Sequence, residues 1–387
     1  MKVESSERLA AVKPYIFAKI AQKRKLVAAR GVDIVDLGRG GPDQPPYGDA
    51  LEELAVRAAD PALYSYTPYT GSPELGQAIE DWYQRRFKAK VSAADVALLP
   101  GSKGGLSRLF LALCNPGDLV LLPDPAFPAY VAAATISQLQ IHTVPLTAER
   151  GWLPDFKAIR KDALRRAKLI LLNYPNNPTG AMAPAKFLTE LLDWAEKTET
   201  LVVWDNAYSF LTYGDYEPLS ILSDPRGAEL AIEFHTFSKA YAMAGARIAF
   251  AAGNSEAIAL LRRIELYYQA GIFAPTLAAA TVALNEGDEA VAMGLAEYTA
   301  RRELFSAKLT ELGWEHELPG GATYFWLKLP GGRDDLSFCD ELLEKHGVVL
   351  TPGSAFGEQG VGYVRASITV SQEKITEAFR RIGEFLA

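Results

Sequence analysis

Cysteine is nearly absent from this chain of 387 residues, which has only Cys114 and Cys339. Two thiols cannot build a disulfide framework, and their scarcity fits a reducing cytosol. Histidine is scarce as well. His142, His235, His316 and His346 lie scattered without the spacing of metal ligands, so no metal site is expected. Positive charge is not in excess: 40 Lys and Arg stand against 47 Asp and Glu, a net charge of −7. That leaves no basic footprint for nucleic acid. No apolar run approaches the ~20 residues that a membrane helix needs. Met1 to Ala10 is charged and polar where a signal peptide would be apolar. Internal repeats and low-complexity segments are also missing. What remains is 49% hydrophobic and 22% charged, the balance of a globular, cytoplasmic enzyme. The length corresponds to two or more domains.

Short apolar runs alternate with helical patterns through the first two-thirds of the chain. Ile34–Leu37, Val96–Pro100, Leu119–Leu122, Lys168–Leu172, Leu201–Trp204 and Leu230–Phe234 read as strands, and each gives way to polar or turn residues. Helices are predicted over residues 13–31, 73–87 and 106–113. This alternation predicts a mostly parallel α/β sheet with its sites gathered beyond the strand C-termini. After about Ala252 the texture changes. Helices over residues 255–268, 290–312, 336–345 and 372–385 mix with strands over residues 324–329, 348–350 and 364–368, which predicts a smaller α+β unit. The division expected is a large domain over residues 45–285, and a small domain from residues 1–44 and 286–387.

The strand-end loops carry the chemistry. Gly38-Arg39-Gly40-Gly41-Pro42-Asp43 marks backbone that turns tightly or approaches a ligand closely. Tyr64 to Gly71 is dense in tyrosine, as subunit interfaces are. Gly101-Ser102-Lys103-Gly104-Gly105 opens a helix and offers amide donors to an anion, unless Ser102 is simply the helix cap. Pro125-Ala126-Phe127-Pro128 holds an aromatic rigidly, either as core or as a shelf for a flat ring. Asn173-Tyr174-Pro175-Asn176-Asn177-Pro178-Thr179-Gly180 has more amides and prolines than packing alone calls for. Asp205 closes a buried strand and needs a partner.

One stretch organises these parts. His235-Thr236-Phe237-Ser238-Lys239 follows the mostly apolar run 230–234, and Arg247 comes eight residues after the lysine. A lysine delivered to the end of a buried strand among apolar neighbours is disposed to form a Schiff base. Thr236, Ser238 and Arg247 offer hydroxyls and a guanidinium suited to a phosphate. An aldehyde that also carries a phosphate answers both needs: pyridoxal 5′-phosphate.

Occurring in one order along the chain, the glycine turn, the aromatic shelf, Asn177-Pro178-Thr179-Gly180, Asp205-Asn206-Ala207-Tyr208 and the lysine strand resemble the class I/II pyridoxal-phosphate aminotransferases of fold type I. The resemblance covers nearly the whole chain, and the pattern is most similar to the LL-diaminopimelate aminotransferase group. It implies that Lys239 would hold the cofactor and move the Cα proton. Asp205 would pair with the pyridine nitrogen. Asn177 and Tyr208 would hydrogen-bond the ring's phenolic oxygen. Phe127 would stack on the ring, and Ser102, Lys103, Thr236, Ser238 and Arg247 would surround the phosphate. Tyr66 would reach the phosphate of a neighbouring subunit, making a homodimer the active unit. Arg365 would grip the substrate α-carboxylate, while Tyr15 and Gly40 would line the substrate's entry.

Three departures from the family pattern bear on substrate. Ala246 stands where relatives often have tryptophan, Ala249 where many have glycine, and Arg39 where the residue is usually aliphatic. Arg39 is expected to read a distal acidic group on one substrate, the alternatives being solvent or a pair with Asp43. The expected reaction exchanges an amino group between an L-amino acid and a 2-oxo acid by ping-pong half-reactions. A β-lyase on the same fold is the alternative reaction. A non-catalytic binding protein ranks last because the lysine is intact and no DNA-binding extension is present.

Overall fold

Seven strands form the central sheet of the protein, described here from a computed structural model over residues 1–68 and 71–387. Tyr69, part of the tyrosine-rich stretch, lies outside the described residues. In chain order the strands of the described residues are β1 (Val35–Asp36), β2 (Val96–Leu99), β3 (Leu119–Asp124), β4 (Gln140–Pro145), β5 (Ala167–Asn173), β6 (Leu201–Asp205), β7 (Ala231–Thr236), β8 (Ala249–Gly253), β9 (Tyr324–Lys328), β10 (Val348–Val349), β11 (Thr351–Pro352) and β12 (Tyr363–Ser367). The central sheet has the order β2-β8-β7-β6-β5-β3-β4, and β8 alone runs against the rest. β3 and β7 are buried along their whole length, as β5 and β6 nearly are, because helices cover both faces. Near-continuous apolar runs suit such strands, with Glu233 and His235 of β7 as the buried exceptions. One core packs on each face, with Leu191 and Trp82 on one side and Phe110 and Leu261 on the other.

Two strands carry no such run. β4 is an edge strand in which polar and apolar residues mix and only Val144 is buried, and β8 is built of Ala, Phe, Ala, Ala and Gly. Neither reads as a strand from pattern, since edges tolerate polarity and alanine has little strand preference.

The helix Pro73–Phe87 has the predicted bounds. Ser72 caps it by accepting from the Leu75 amide at 3.1 Å, Pro73 supplies a preset first turn, and Lys88 ends it in a left-handed conformation. The helix after β2 starts earlier than expected, at Ser102 rather than Leu106. Gly101 is its cap at φ 110°, so Ser102 is the first helical residue and not the cap.

A second core joins β9 and β12 to the helices Asp288–Glu311, Asp335–His346 and Gln372–Leu386. The three-stranded sheet β11-β12-β9 is antiparallel. β1 pairs in parallel with β10, which ties the start of the chain to its last hundred residues. Tyr208, beyond β6, is buried in this second core. The interior of the small sheet therefore reaches the C-terminal ends of the large one.

Candidate active site

β5, β6 and β7 end side by side, with Asn173 registered opposite Asp205 and Asp205 opposite Phe234. Beyond those ends lies a cavity of about 360 Å³ lined from both sheets. The strand ends form its floor. Asp205 is buried; its carboxylate accepts from the Tyr130 hydroxyl at 2.5 Å and from the Ala207 amide at 3.2 Å. Burial raises the proton affinity of this carboxyl, and the Tyr130 and Ala207 bonds with the charges of His235 and Lys239 only partly oppose it. A cation, or a ring nitrogen that keeps its proton, is the partner such a group favours.

The Asn-rich turn after β5 accounts for its own amides. Asn173 donates to the Asp205 carbonyl at 2.7 Å and accepts from the Asn177 amide at 2.9 Å. Asn176 accepts from the Thr179 amide at 3.1 Å and its hydroxyl at 2.8 Å. Buried turn backbone needs such partners.

Lys239 follows β7 and donates to the Gly40 carbonyl at 2.6 Å, with its ammonium 5.3 Å from the centre of the Tyr208 ring. Phe127 and Thr236 line the same cavity. At one end Ser102, Lys103, Ser238 and Arg247 converge on the first turn of the helix Ser102–Leu113. That turn points free amides and the positive end of its dipole into the cavity. Glycine suits 101 because L side chains rarely adopt its φ of 110°, and a β-carbon there would also crowd the Arg247 guanidinium. Arg247 donates only to the carbonyls of Ala244 at 2.9 Å and Pro100 at 3.3 Å, so its charge meets no carboxylate among the described residues. The Lys103 ammonium lies 4.4 Å from the ring centre of Tyr15, at the cavity's mouth.

Arg365, from β12, forms the opposite wall and is 2% exposed. It donates to Asn177 Oδ1 and to the Gly38 carbonyl, each at 2.9 Å. Its Nε has no partner among the described residues. The guanidinium lies 4.1 Å from the ring centre of Tyr324 and 4.9 Å from that of Phe356. A buried cation answered only by neutral groups is poised for an anion.

The donor set fits pyridoxal phosphate. A cationic cup of amides and hydroxyls suits the phosphate, Asp205 suits the ring nitrogen, and Lys239 suits the aldehyde. One expected residue, Arg39, is not brought to this cavity, and Tyr66, expected at a neighbouring subunit's site, is not part of this chain's own lining. Tyr66 is 87% exposed. Arg39 is also exposed: Gly38 and Gly40 present their carbonyls to Arg365 and Lys239, and the side chain between them turns out. Nor does Arg39 pair with Asp43, which Arg301 holds at 2.8 Å. Conversely, Phe17, Tyr130 and Tyr324 line the cavity without having been singled out. Tyr130 sits in the first turn after Phe127-Pro128, so the aromatic shelf was its signal; Tyr324 carried none beyond opening an apolar strand.

Comparison with known proteins agrees with this geometry. The family described as Aminotransferase class I and II matches residues 32–382. The LL-diaminopimelate aminotransferase of Aquifex aeolicus is 39% identical, the match covering 98% of each chain. That of Moorella thermoacetica is 37% identical over 99% of each. Among solved structures, apo-BacF from Bacillus subtilis is similar with a TM-score of 0.96 and 34% identity, over 100% of this chain and 98% of that one.

Proposed function

We propose, for a chain that belongs to the class I and II aminotransferases and is a pyridoxal-phosphate-dependent transaminase, that its amino donor is LL-diaminopimelate, with a 2-oxo acid as acceptor. The names of its full-length relatives support this donor. The observation that carries the reaction is the buried, half-answered guanidinium of Arg365 in one cavity with Lys239.

When bound, pyridoxal phosphate supplies an electron-withdrawing ring that carries nitrogen between the two half-reactions. The chain's residues do the rest. Ser102, Lys103, Thr236, Ser238 and Arg247 hold the phosphate. Phe127 stacks on the ring, and Asp205 keeps the ring nitrogen protonated. Asn177 and Tyr208 hydrogen-bond the phenolic oxygen. Arg365 fixes the substrate's α-carboxylate, and Tyr15 and Gly40 line its path. Lys239, so placed, would serve as the base that moves the proton from the substrate's Cα.

The same reading extends to assembly. The exposure of Tyr66, and of Tyr267 at 81%, supports a homodimer in which Tyr66 serves the neighbouring site. The pairing of β1 with β10 supports a small domain of residues 1–44 and 286–387 beside a large one of residues 45–285. Composition supports the cytoplasm. No helix among the described residues is long and apolar enough to cross a membrane.

A donor screen tests the substrate. With 2-oxoglutarate or pyruvate as acceptor, LL-diaminopimelate should show a higher kcat/KM than alanine, aspartate or glutamate; another donor in first place would replace it. An amino acid alone should yield one turnover and then a stall. Continuing release of pyruvate and ammonia would identify a lyase instead.

A further inference from the structure

Tyr324 opens β9, is 1% exposed, and has no part in the roles above. Its hydroxyl lies 2.9 Å from the Tyr208 hydroxyl and 3.5 Å from the Gly40 carbonyl. The Arg365 guanidinium stands over its ring. A β-carbon on Gly40 would run into the Tyr324 hydroxyl, so glycine at 40 keeps the place clear. The Gly40 carbonyl already accepts from Lys239 at 2.6 Å.

A phenol has one proton to give. If Tyr208 gives its proton to Tyr324, it has none left for a cofactor oxygen. If Tyr324 is the donor, the Tyr208 proton stays free. The geometry favours the second arrangement. The 2.9 Å contact is a good hydrogen bond, whereas 3.5 Å to a carbonyl already taken by an ammonium is marginal. The charges agree. Burial raises the Tyr324 hydroxyl, but the charges of Lys239, from beyond β7, and Arg365, from β12, with the contacts to Tyr208 and Thr323, bring it below the usual phenol range. Burial pushes the Tyr208 hydroxyl well up, and Tyr324 and the Asp205 carboxyl at the end of β6 add to this, opposed by Arg365. Two cations beside Tyr324 and a carboxyl beside Tyr208 make the Tyr324 hydroxyl the better donor of the pair.

We propose that Tyr324 is a positioning residue that donates to the Tyr208 hydroxyl, freeing Tyr208's own proton for the phenolic oxygen of bound pyridoxal phosphate. The proposal rests on the role given to Tyr208 above. A hydroxyl that accepts a hydrogen bond becomes a stronger donor. A stronger bond to the phenolic oxygen favours its anionic form and so eases loss of the proton from the cofactor's Schiff base with Lys239. Without Tyr324 that proton is held to higher pH.

Titration of the holoenzyme's visible absorption tests this in wild type, Tyr208→Phe, Tyr324→Phe and the double variant. Tyr208→Phe should raise the midpoint most. Tyr324→Phe should raise it by about 0.3 to 1 pH unit, the worth of one hydrogen bond. The double variant should sit where Tyr208→Phe alone does. A merely structural role for Tyr324 would lower the melting temperature without moving the midpoint, which overturns the proposal. Additive shifts in the double variant overturn the route through Tyr208. No shift in Tyr208→Phe removes the Tyr208 role itself, and the proposal with it, an outcome distinct from a failure of Tyr324 alone.

Discussion

Glu233 and Arg365 are both buried charged residues, yet they are treated differently. Glu233, in β7, is fully buried and accepts from Asn206 at 2.6 Å, Ser220 at 2.5 Å and Tyr83 at 3.2 Å, with His235 at 3.5 Å. Three donors meet it from three separate parts of the chain. Arg365 has two neutral acceptors, an orphaned Nε and a cavity in front of it. Burying a polar group without partners costs free energy. The fold meets that cost at Glu233 and leaves part of it standing at Arg365. A fully answered charge ties elements together, whereas a half-answered one beside a cavity marks where a ligand of opposite sign completes the structure.

Substitutions on the two sides of this contrast should fail differently. The largest effect is at Lys239, whose one recorded hydrogen bond, to the Gly40 carbonyl, holds no core element together. Lys239→Ala should abolish turnover and covalent fixation by borohydride while leaving unfolding unchanged; a labelled peptide centred on another lysine would overturn its role. Asp205→Ala should lower the rate more than tenfold, above ~1.4 kcal/mol of barrier, with a smaller change in cofactor affinity. A loss under tenfold would remove its role at the ring nitrogen. Glu233→Ala should show the opposite profile. Stranding its donors should cost about 2–4 kcal/mol of stability in denaturant melts, with a smaller effect on the activity of the folded protein. If stability holds and activity collapses, Glu233 belongs to the site. The smallest effect is expected at exposed Arg39. Arg39→Ala should change kcat/KM on glutamate and on alanine by no more than about twofold. A loss confined to glutamate would restore the specificity role read from the loop.

Much of this contrast was legible in the sequence, for a physical reason. Strands buried on both faces are mostly apolar, so the polar residue that ends such a run, as Asp205 does, announces itself. Lys239 and Arg365 were conspicuous in the same way, as charges within or just beyond apolar runs. The partners were harder to read. Tyr130 reaches Asp205 across 75 residues, and Tyr324 reaches Tyr208 across 116. Such pairs are created by sheet order and domain packing, which local pattern does not carry. Arg39 misled because a glycine-flanked loop gives no direction to the side chain within it. β4 and β8 were missed because edge polarity and alanine leave no strand signature.

The central claim is that Arg365 is the seat of the substrate's α-carboxylate. The most direct test compares kcat/KM for an amino acid with that for the amine left when its carboxylate is removed, in wild type and in Arg365→Ala. Breaking a buried, hydrogen-bonded charge pair costs about 2–5 kcal/mol, so the variant should lose roughly 30- to 5000-fold on the amino acid. On the amine it should lose little, and the wild-type preference for the amino acid should collapse. Equal losses on both substrates would contradict the claim and leave Arg365 a structural residue.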